Sequence, residues 1–277
     1  GIIMNDNILN FVNLASPKLG TRVVEFTDDF FGDVSRMLKD EDPIFIPDKY
    51  DNHGKWMDGW ESRRKRTEGN DWSIIALGSS GEIEEIEIDT SHFTGNFPPY
   101  ASLEGIYSKE KPKFDDDWTS ILKKTELKGD KSQKFKVKSE LINYVRFQIY
   151  PDGGVARLRL NGNVLYDFQK NKKNIYELSS LNLGGKIISY NNAHYGDVSA
   201  LLSEGRGKTM GDGWETRRRR TPGNDWIIIK LAHTGLIKKI EIDTAHFKGN
   251  FPDRASIQCA LINDTSTVKK LIDNSVN

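Results

Sequence analysis

Apolar and polar residues alternate along most of this chain with a period of two. Residues 145–149 and 156–160 show the pattern most clearly, because arginine or glutamine separates their apolar side chains. Such alternation is typical of half-buried β-strands. The same pattern predicts strands at 72–77, 83–89, 101–107 and 134–137, and again at 226–231 and 255–261, whereas helical periodicity is confined to short stretches at 33–38 and 197–202. Many short strands separated by Gly and Pro predict an all-β fold of the sandwich or jelly-roll type.

A turn sequence lies between the two clearest strands. Pro151, Asp152, Gly153 and Gly154 follow one another there. Proline fixes φ, while Asp and Gly tolerate the backbone angles of tight turns. We therefore predict that this segment joins the two strands as a β-hairpin.

The sequence contains a long internal repeat. At an offset of 154 residues, segment 58–72 matches 212–226 at 12 of 15 positions, and segment 85–98 matches 239–252 at 11 of 14. Upstream the offset is 164, so the first copy carries ten extra residues between about 38 and 57. A period of this length is the size of a whole domain. The sequence therefore predicts two tandem jelly-roll lobes.

The repeat also predicts domain boundaries. We place the first lobe at 13–163, a polar linker at 164–174 and the second lobe at 175–277. The first copy continues through YVRFQIYPDGGVARLRLNGN at 144–163, which has no counterpart after Cys259. We therefore expect the second lobe to lack its last strands in this sequence.

Composition restricts the functions that the chain can have. Lys and Arg total 40 and Asp and Glu total 40, so no net charge attracts nucleic acid or anionic lipid. The apolar runs are too short to cross a bilayer, and no segment resembles a secretory signal. One cysteine, Cys259, allows no intrachain disulfide and suits a reducing compartment. We predict a cytoplasmic protein that binds neither nucleic acid nor membrane.

A run of four basic residues occurs in each copy, at 63–66 and 217–220. One interpretation is a nuclear-localisation or nucleic-acid patch, but there is no overall basic charge or aromatic interleaving to support it. Another is a solvated face paired with nearby acids. A third is a carboxylate clamp, because the guanidinium group binds a planar carboxylate through two hydrogen bonds. The clamp would use Arg63, Arg64, Arg217 and Arg218, with Glu61 and Glu215 orienting them.

Histidine recurs in the same local setting in both copies. His92 follows Asp89 by three residues, and His246 follows Asp243 by three. Each could be a packed or surface residue, but the repeated carboxylate also suits acid and base chemistry. Neither copy has the H-x-H or H-E-x-x-H spacing of a metal site, and no glycine loop suits a phosphate, so no metal or cofactor is predicted.

The aspartates of the two GNDW motifs have two open interpretations. Asp71 and Asp225 follow Gly and Asn in these motifs. They could serve chemistry, or they could form turns by accepting hydrogen bonds from neighbouring amides.

Taken together, the motifs resemble those of the allantoicase family. The resemblance rests on the tandem DGWE-(S/T)-RR, GNDW and D-T-x-H-F-x-G-N-F-P motifs and on YPDGGVARLRL, and it extends from about Leu19 to Cys259. It implies two jelly-roll lobes similar to galactose-binding modules and a homo-oligomer. It also implies hydrolysis of allantoate to ureidoglycolate and urea.

This reaction suggests roles for the repeated residues. Allantoate carries a carboxylate and two ureido groups on one carbon, so its cleavage needs an anchor for the carboxylate, an acid and a base. We assign the four arginines to the anchor, and Asp89 with His92, or Asp243 with His246, to the acid and base. Asn96 and Asn250 would bind the ureido oxygens.

A binding module without catalysis is the alternative function. Jelly-roll folds serve many purposes, including sugar binding. Trp56, Trp60 and Trp214 would then form stacking platforms for a sugar. A structural or regulatory remnant would neither bind nor react.

Overall fold

The computed structural model describes residues 11–194 and 197–263. These residues form two compact units, Phe11–Lys172 and the described residues from Lys173 onward. The strands of the first unit are β1 (Val12–Asn13), β2 (Arg22–Phe26), β3 (Tyr50–Asp51), β4 (Gly54–Lys55), β5 (Trp60–Glu61), β6 (Asp71–Asp89), β7 (Tyr100–Ile106), β8 (Thr119–Glu126), β9 (Ser132–Lys136), β10 (Ile142–Tyr150), β11 (Gly154–Val155) and β12 (Arg157–Val164). Those of the second are β13 (Lys186–Tyr190) and β14 (Ile227–Lys230). Short 3₁₀ helices occupy Pro17–Leu19, Val34–Leu38, Leu181–Leu183, Val198–Leu202 and Met210–Asp212.

Strand β6 organises the first unit. The two strands predicted at 72–77 and 83–89 are parts of this one strand of 19 residues. Its first half pairs with β2 and β10, and its second half pairs with β9 and β12, all antiparallel. β10 continues through β7 to β8, and β12 continues to β1. β6 therefore belongs to both groups of strands that make up the sandwich.

Alternation along the strands produces the core of this unit. Ile86 and Ile88 on β6, Val145 and Phe147 on β10 and Leu160 on β12 are all fully buried. Burying a side chain of this size contributes about 1.5–3 kcal/mol. The strands predicted from the period of two, including 101–107, 134–137, 145–149 and 156–160, are confirmed to within a few residues at each end.

The predicted hairpin at Pro151–Gly154 is wrong. β10 pairs with β6 and β7, whereas β12 pairs with β1 and β6. The turn follows β10, which pairs with the first half of β6, and it leads into β12, which pairs with the second half. Gly154–Val155 of this turn forms β11 and pairs with β5. The two alternating segments do not pair with each other because the long β6 offers each of them a separate stretch of its length.

Arg157 also departs from the sequence pattern. Alternation with Ala156 and Leu158 would place it on the solvated face, but its side chain is fully buried. The guanidinium group donates to the Asp58 carboxylate at 2.7 Å and to the carbonyl oxygens of Asp58 and Glu41, each at 2.8 Å. These acceptors replace water, which makes burial of the charge possible.

The second unit contains one antiparallel pair, β13 with β14, among its described residues. β14 confirms the strand predicted at 226–231, whereas the strand predicted at 255–261 is wrong. The helical stretches predicted at 33–38 and 197–202 are 3₁₀ helices. Asp33 and Asp197 cap them by accepting hydrogen bonds from the amides of Ser35 and Ser199, at 2.8 and 2.9 Å.

The helices of the described residues are all short. None has the length and apolar character needed to cross a membrane.

Candidate active site

Three of the repeated or turn-forming motifs meet in the first unit. Pairing of β5 with β11 sets Glu61 opposite Gly154. The amide of Gly154 donates to the carbonyl oxygen of Asn96 at 2.7 Å. A Cβ at Gly153 would lie 2.6 Å from the nitrogen of Pro98, and its φ of 136° also favours glycine. The DGWE, GNFP and PDGG motifs therefore form one contiguous group of loops.

A hydrogen-bonded Glu–Asn pair lies in this group and recurs in the second unit. The Asn96 amide donates to Glu61 Oε2 at 2.9 Å, and the Asn250 amide donates to Glu215 Oε1 at 3.1 Å. Burial raises the pKa of Glu61 above its usual value, and the bond from Asn96 offsets this only in part. Glu61 thus keeps its proton to a higher pH than an exposed glutamate does.

The two histidines adopt the same unusual backbone conformation. φ is 74° at His92 and 72° at His246, in the left-handed region that few residues other than glycine adopt. His92 Nε2 lies 3.4 Å from the carbonyl oxygen of Pro43, and His246 Nε2 lies 2.7 Å from that of Gly207. A carbonyl oxygen only accepts, so these contacts favour the neutral tautomer that carries its hydrogen on Nε2 and leaves Nδ1 as the acceptor.

The aspartates beside the histidines shape the turns that present them. Asp89 Oδ1 accepts from the amide of Ser91 at 2.8 Å, and Asp243 Oδ1 accepts from that of Ala245 at 2.7 Å. These are Asx turns, in which a side-chain oxygen replaces a backbone acceptor. Asp89 is buried, whereas Asp243 is exposed.

The first arginine of each run has a different environment in the two units. Arg63 Nε and one terminal nitrogen lie 2.8 and 2.7 Å from Asp28 Oδ2, and its guanidinium group lies 5.0 Å from the Phe30 ring centre. Burial opposes ionisation of Asp28, but hydrogen bonds from Arg63 and Phe30 outweigh it and lower its pKa. In the second unit a neutral Asn192 accepts from the Arg217 amide at 2.9 Å. The guanidinium group of Arg217 therefore lacks the carboxylate that Asp28 supplies to Arg63.

The second and third basic residues also differ in role. Arg64 and Arg218 are exposed, and neither has an ion pair within residues 11–194 and 197–263. At the third position, Lys65 Nζ lies 3.4 Å from Asp71 Oδ1, and Arg219 lies 2.9 Å from Asp225 Oδ1. These two aspartates, which the sequence left open between chemistry and turns, are counter-ions of the basic runs.

Counter-ions also determine the ionisation of two of the aspartates. Burial opposes ionisation of Asp225, but hydrogen bonds from Thr216, Arg219 and Asn191 outweigh it and lower its pKa. In the same way, hydrogen bonds from Arg157 and Lys39 outweigh the burial of Asp58 and lower its pKa.

Sequence reasoning missed several residues that build this region. Asp28, Asp58 and Arg157 were not singled out. A sequence signal existed for Asp58, because it begins the DGWE motif and recurs as Asp212 in the second copy. Their ion pairs join positions 35 and 99 residues apart in the chain, so no local pattern reveals them.

The tryptophans of the alternative function are largely enclosed. Trp60 is 0% exposed and Trp56 is 7% exposed. The Trp60 and Trp214 indoles donate to the carbonyl oxygens of Asp28 and Asn192, each at 2.8 Å. Buried indoles cannot stack on a sugar, so Trp56 and Trp60 are structural residues. Within the residues described, no group of three or more His, Cys, Asp or Glu side chains is arranged to hold a metal ion.

Comparison with known proteins identifies the repeat. The family model "Allantoicase repeat" matches residues 12–165 and 176–276. A probable allantoicase from Burkholderia mallei is 49% identical over 255 residues, which cover 91% of this chain and 76% of that protein. One from Acinetobacter baylyi is 47% identical over 268 residues, covering 96% and 80%. The crystal structure of allantoicase from Saccharomyces cerevisiae matches 82% of this chain and 71% of its own, with 33% identity and a TM-score of 0.72. The chain belongs to the allantoicase family.

Proposed function

We propose that this chain hydrolyses allantoate, with water, to ureidoglycolate and urea. The observation that carries the proposal is the family membership of nearly the whole chain. The repeated motifs support it, because in both units they place a Glu–Asn pair and a histidine whose Nε2 faces a carbonyl oxygen. The small-molecule substrate is therefore allantoate.

Glu61 is the proposed general acid. Departure of urea requires a proton on a nitrogen that is otherwise a poor leaving group. A carboxyl group whose pKa is raised by burial keeps such a proton to a higher pH than an exposed glutamate does. The Asn96 amide, which donates to Glu61 Oε2, orients this carboxyl and contacts a ureido group of the substrate. Asn250 and Glu215 are the equivalent pair of the second unit.

The histidines are the proposed bases. A base must accept a proton from the attacking water. His92 and His246 each direct Nε2 at a carbonyl oxygen, which leaves Nδ1 as the accepting nitrogen. Asp89 and Asp243 then act as positioning residues, since each carboxylate holds the turn in which its histidine lies.

The proposed carboxylate anchors are Arg64, Arg217 and Arg218. All three are exposed, and none of their side chains is paired with an acid in the described part of the chain. A guanidinium group of this kind binds a carboxylate through two parallel hydrogen bonds. Arg63 forms an ion pair with Asp28, so its proposed role is to stabilise the loop rather than to bind the substrate carboxylate.

We also propose that the protein is a cytoplasmic homo-oligomer. The resemblance to the family supports the oligomer, and an exposed free thiol at Cys259 suits a reducing compartment. Light scattering coupled to gel filtration would measure the mass of the assembly, and a monomeric mass would contradict the oligomer.

The test is release of urea from allantoate by the purified protein, with and without a chelator. We expect steady release from the wild type. His92→Ala and Glu61→Gln should each lower turnover by roughly 10²-fold or more, the scale of a general acid or base. Glu68→Gln, at an exposed glutamate outside the Glu–Asn pair, is the matched control and should leave turnover unchanged. A folded protein that releases no urea would contradict the proposal, and saturable sugar binding without turnover would favour the binding module.

A further inference from the structure

A short segment upstream of the DGWE motif covers the candidate histidine of the first repeat. Residues Pro43–Pro47 form this segment, which we call the strap. The Phe45 ring stacks on the His92 imidazole with ring centres 5.9 Å apart and planes 25° from parallel. The strap thus touches His92 twice, because the Pro43 carbonyl oxygen also meets its Nε2.

The base of the strap is fixed by the buried ion pair. The Ile44 amide donates to Asp58 Oδ2 at 3.1 Å, and Arg157 Nε donates to the Glu41 carbonyl oxygen at 2.8 Å. Both Asp58 and Arg157 are buried. Proline at both ends of the strap further restricts its backbone. The hydrogen bonds that join the backbone at the base of the strap to buried Asp58 and Arg157 therefore fix the position of Phe45.

The apolar side chains at the tip of the strap are partly exposed to solvent. Phe45 is 41% exposed and Ile46 is 38% exposed. The charged groups around the stacked pair are Lys55, whose ammonium lies 5.4 Å from the Phe45 ring, and Asp130, which accepts from the His92 amide at 2.8 Å. The two contacts of the strap, the Phe45 ring and the Pro43 carbonyl oxygen, are therefore the ones that orient the imidazole.

The second repeat keeps the carbonyl contact without the aromatic ring. His246 directs Nε2 at Gly207, 164 residues after Pro43, at the same offset that relates the upstream parts of the repeats. Two residues further on, Thr209 replaces Phe45. No aromatic ring stacks on His246 within the described residues.

We propose that Phe45 is a positioning residue for the reaction. By stacking on His92, it keeps the imidazole rotated so that Nε2 faces the Pro43 carbonyl and Nδ1 faces the substrate. The first repeat, which has this ring, therefore presents the working base. The inference rests on the proposed function for its catalytic meaning, whereas the orientation of the ring can be measured independently of turnover.

Nitrogen-15 NMR of the histidine rings in the whole protein tests the orientation. The chain has five histidines, and a His92→Gln variant assigns the His92 signals. In the wild type we expect His92 and His246 in the Nε2–H form. Phe45→Ala should convert His92 to a mixture of tautomers and leave His246 unchanged, and Phe45→Tyr should restore the wild-type pattern. Ile46→Ala, an equally exposed apolar residue of the strap, is the matched control.

Kinetics with allantoate separate positioning from substrate contact. Phe45→Ala should lower kcat roughly tenfold, within the range that small misplacement of a catalytic group produces, with little change in KM. A raised KM with unchanged kcat would mean that Phe45 binds substrate instead, and would overturn the positioning role. Unchanged His92 signals in a folded Phe45→Ala protein would overturn the proposal even if urea is released. Absence of urea release together with the expected tautomer change would overturn the proposed function and leave the orientation established.

Discussion

Almost the same fourteen residues adopt two structures in this molecule. EIEIDTSHFTGNFP at 85–98 begins in β6, where Ile86 and Ile88 are 0% exposed. KIEIDTAHFKGNFP at 239–252 forms no strand, and Ile240 and Ile242 are 52% and 58% exposed. In the first unit, β9 and β12 pair with this part of β6 on its two edges. The difference teaches that the alternating pattern permits a strand, but that partner strands are needed to form it.

The turn that follows behaves in the opposite way. In both units the aspartate accepts from the amide two residues on, the amide of the phenylalanine donates to the threonine carbonyl, and the histidine has a positive φ. The phenylalanine bonds are 2.9 Å for Phe93 and 3.0 Å for Phe247. All these contacts lie within four residues, so they form whether or not the neighbouring strand is paired. The histidine-bearing turn is therefore encoded locally.

The largest expected effect tests the buried ion pair of Arg157 and Asp58 in the first unit. Arg157→Ala leaves Asp58 as a buried charge without its main partner, which should lower the free energy of unfolding of this unit by about 3–5 kcal/mol. Denaturant unfolding of the variant measures this. Arg159→Ala is the matched control, because Arg159 donates to the Lys39 carbonyl oxygen at 3.2 Å and meets Asp42 and Glu87 only at 3.7 and 3.8 Å, and should cost less than Arg157→Ala. Equal costs for the two arginines would contradict the interpretation.

The next prediction addresses the two equivalent isoleucines. Ile88→Ala removes a fully buried side chain and should destabilise by about 2–5 kcal/mol. Ile242→Ala, at the same motif position but 58% exposed, should change stability by no more than about 0.5 kcal/mol. Denaturant unfolding of both variants compares them directly. If Ile242→Ala proved as costly as Ile88→Ala, the second stretch would have to be buried like the first.

A smaller effect concerns pH and Glu61. Because burial raises the pKa of Glu61 in the folded state, the folded protein holds a proton there that the unfolded chain releases first. Stability from this group is thus complete below the usual pKa of glutamate and is lost as pH rises through the raised pKa. Glutamine carries no proton to lose, so Glu61→Gln should remove this loss. The Tm of the variant should therefore rise relative to that of the wild type from about pH 4 to pH 8. A trend of the opposite sign for Glu61→Gln would contradict the burial of Glu61.

The smallest effect concerns the first arginine of each run. Asn192→Asp would give Arg217 the carboxylate that Asp28 provides to Arg63. A new exposed ion pair should stabilise the second unit by about 0.2–1 kcal/mol at low salt and less at high salt. If Arg217 anchors the substrate, the same variant should raise KM for allantoate. Unchanged KM would remove Arg217 from the anchor and leave Arg64 and Arg218.

The sequence alone determined the features that depend on neighbouring residues. Alternation located the strands of the first unit, and the aspartates before 34 and 198 marked the capped 3₁₀ helices. The repeat and its motifs identified the two copies and the family, and they suggested the residues that we propose for the site. Each of these properties is set by side chains a few positions apart, and such contacts form within a short segment.

Only the tertiary structure decided which segments meet across long distances in the chain. It joined two predicted strands into β6, replaced the expected hairpin with separate partners for β10 and β12, and buried Arg157 against Asp58. It also placed Phe45 on His92, 47 positions away. A period-two pattern specifies which face of a strand is apolar but not which partner covers it. That partner is chosen by the packing of the whole unit, and where no partner pairs with it, as at Ile240 and Ile242, the same sequence forms no strand.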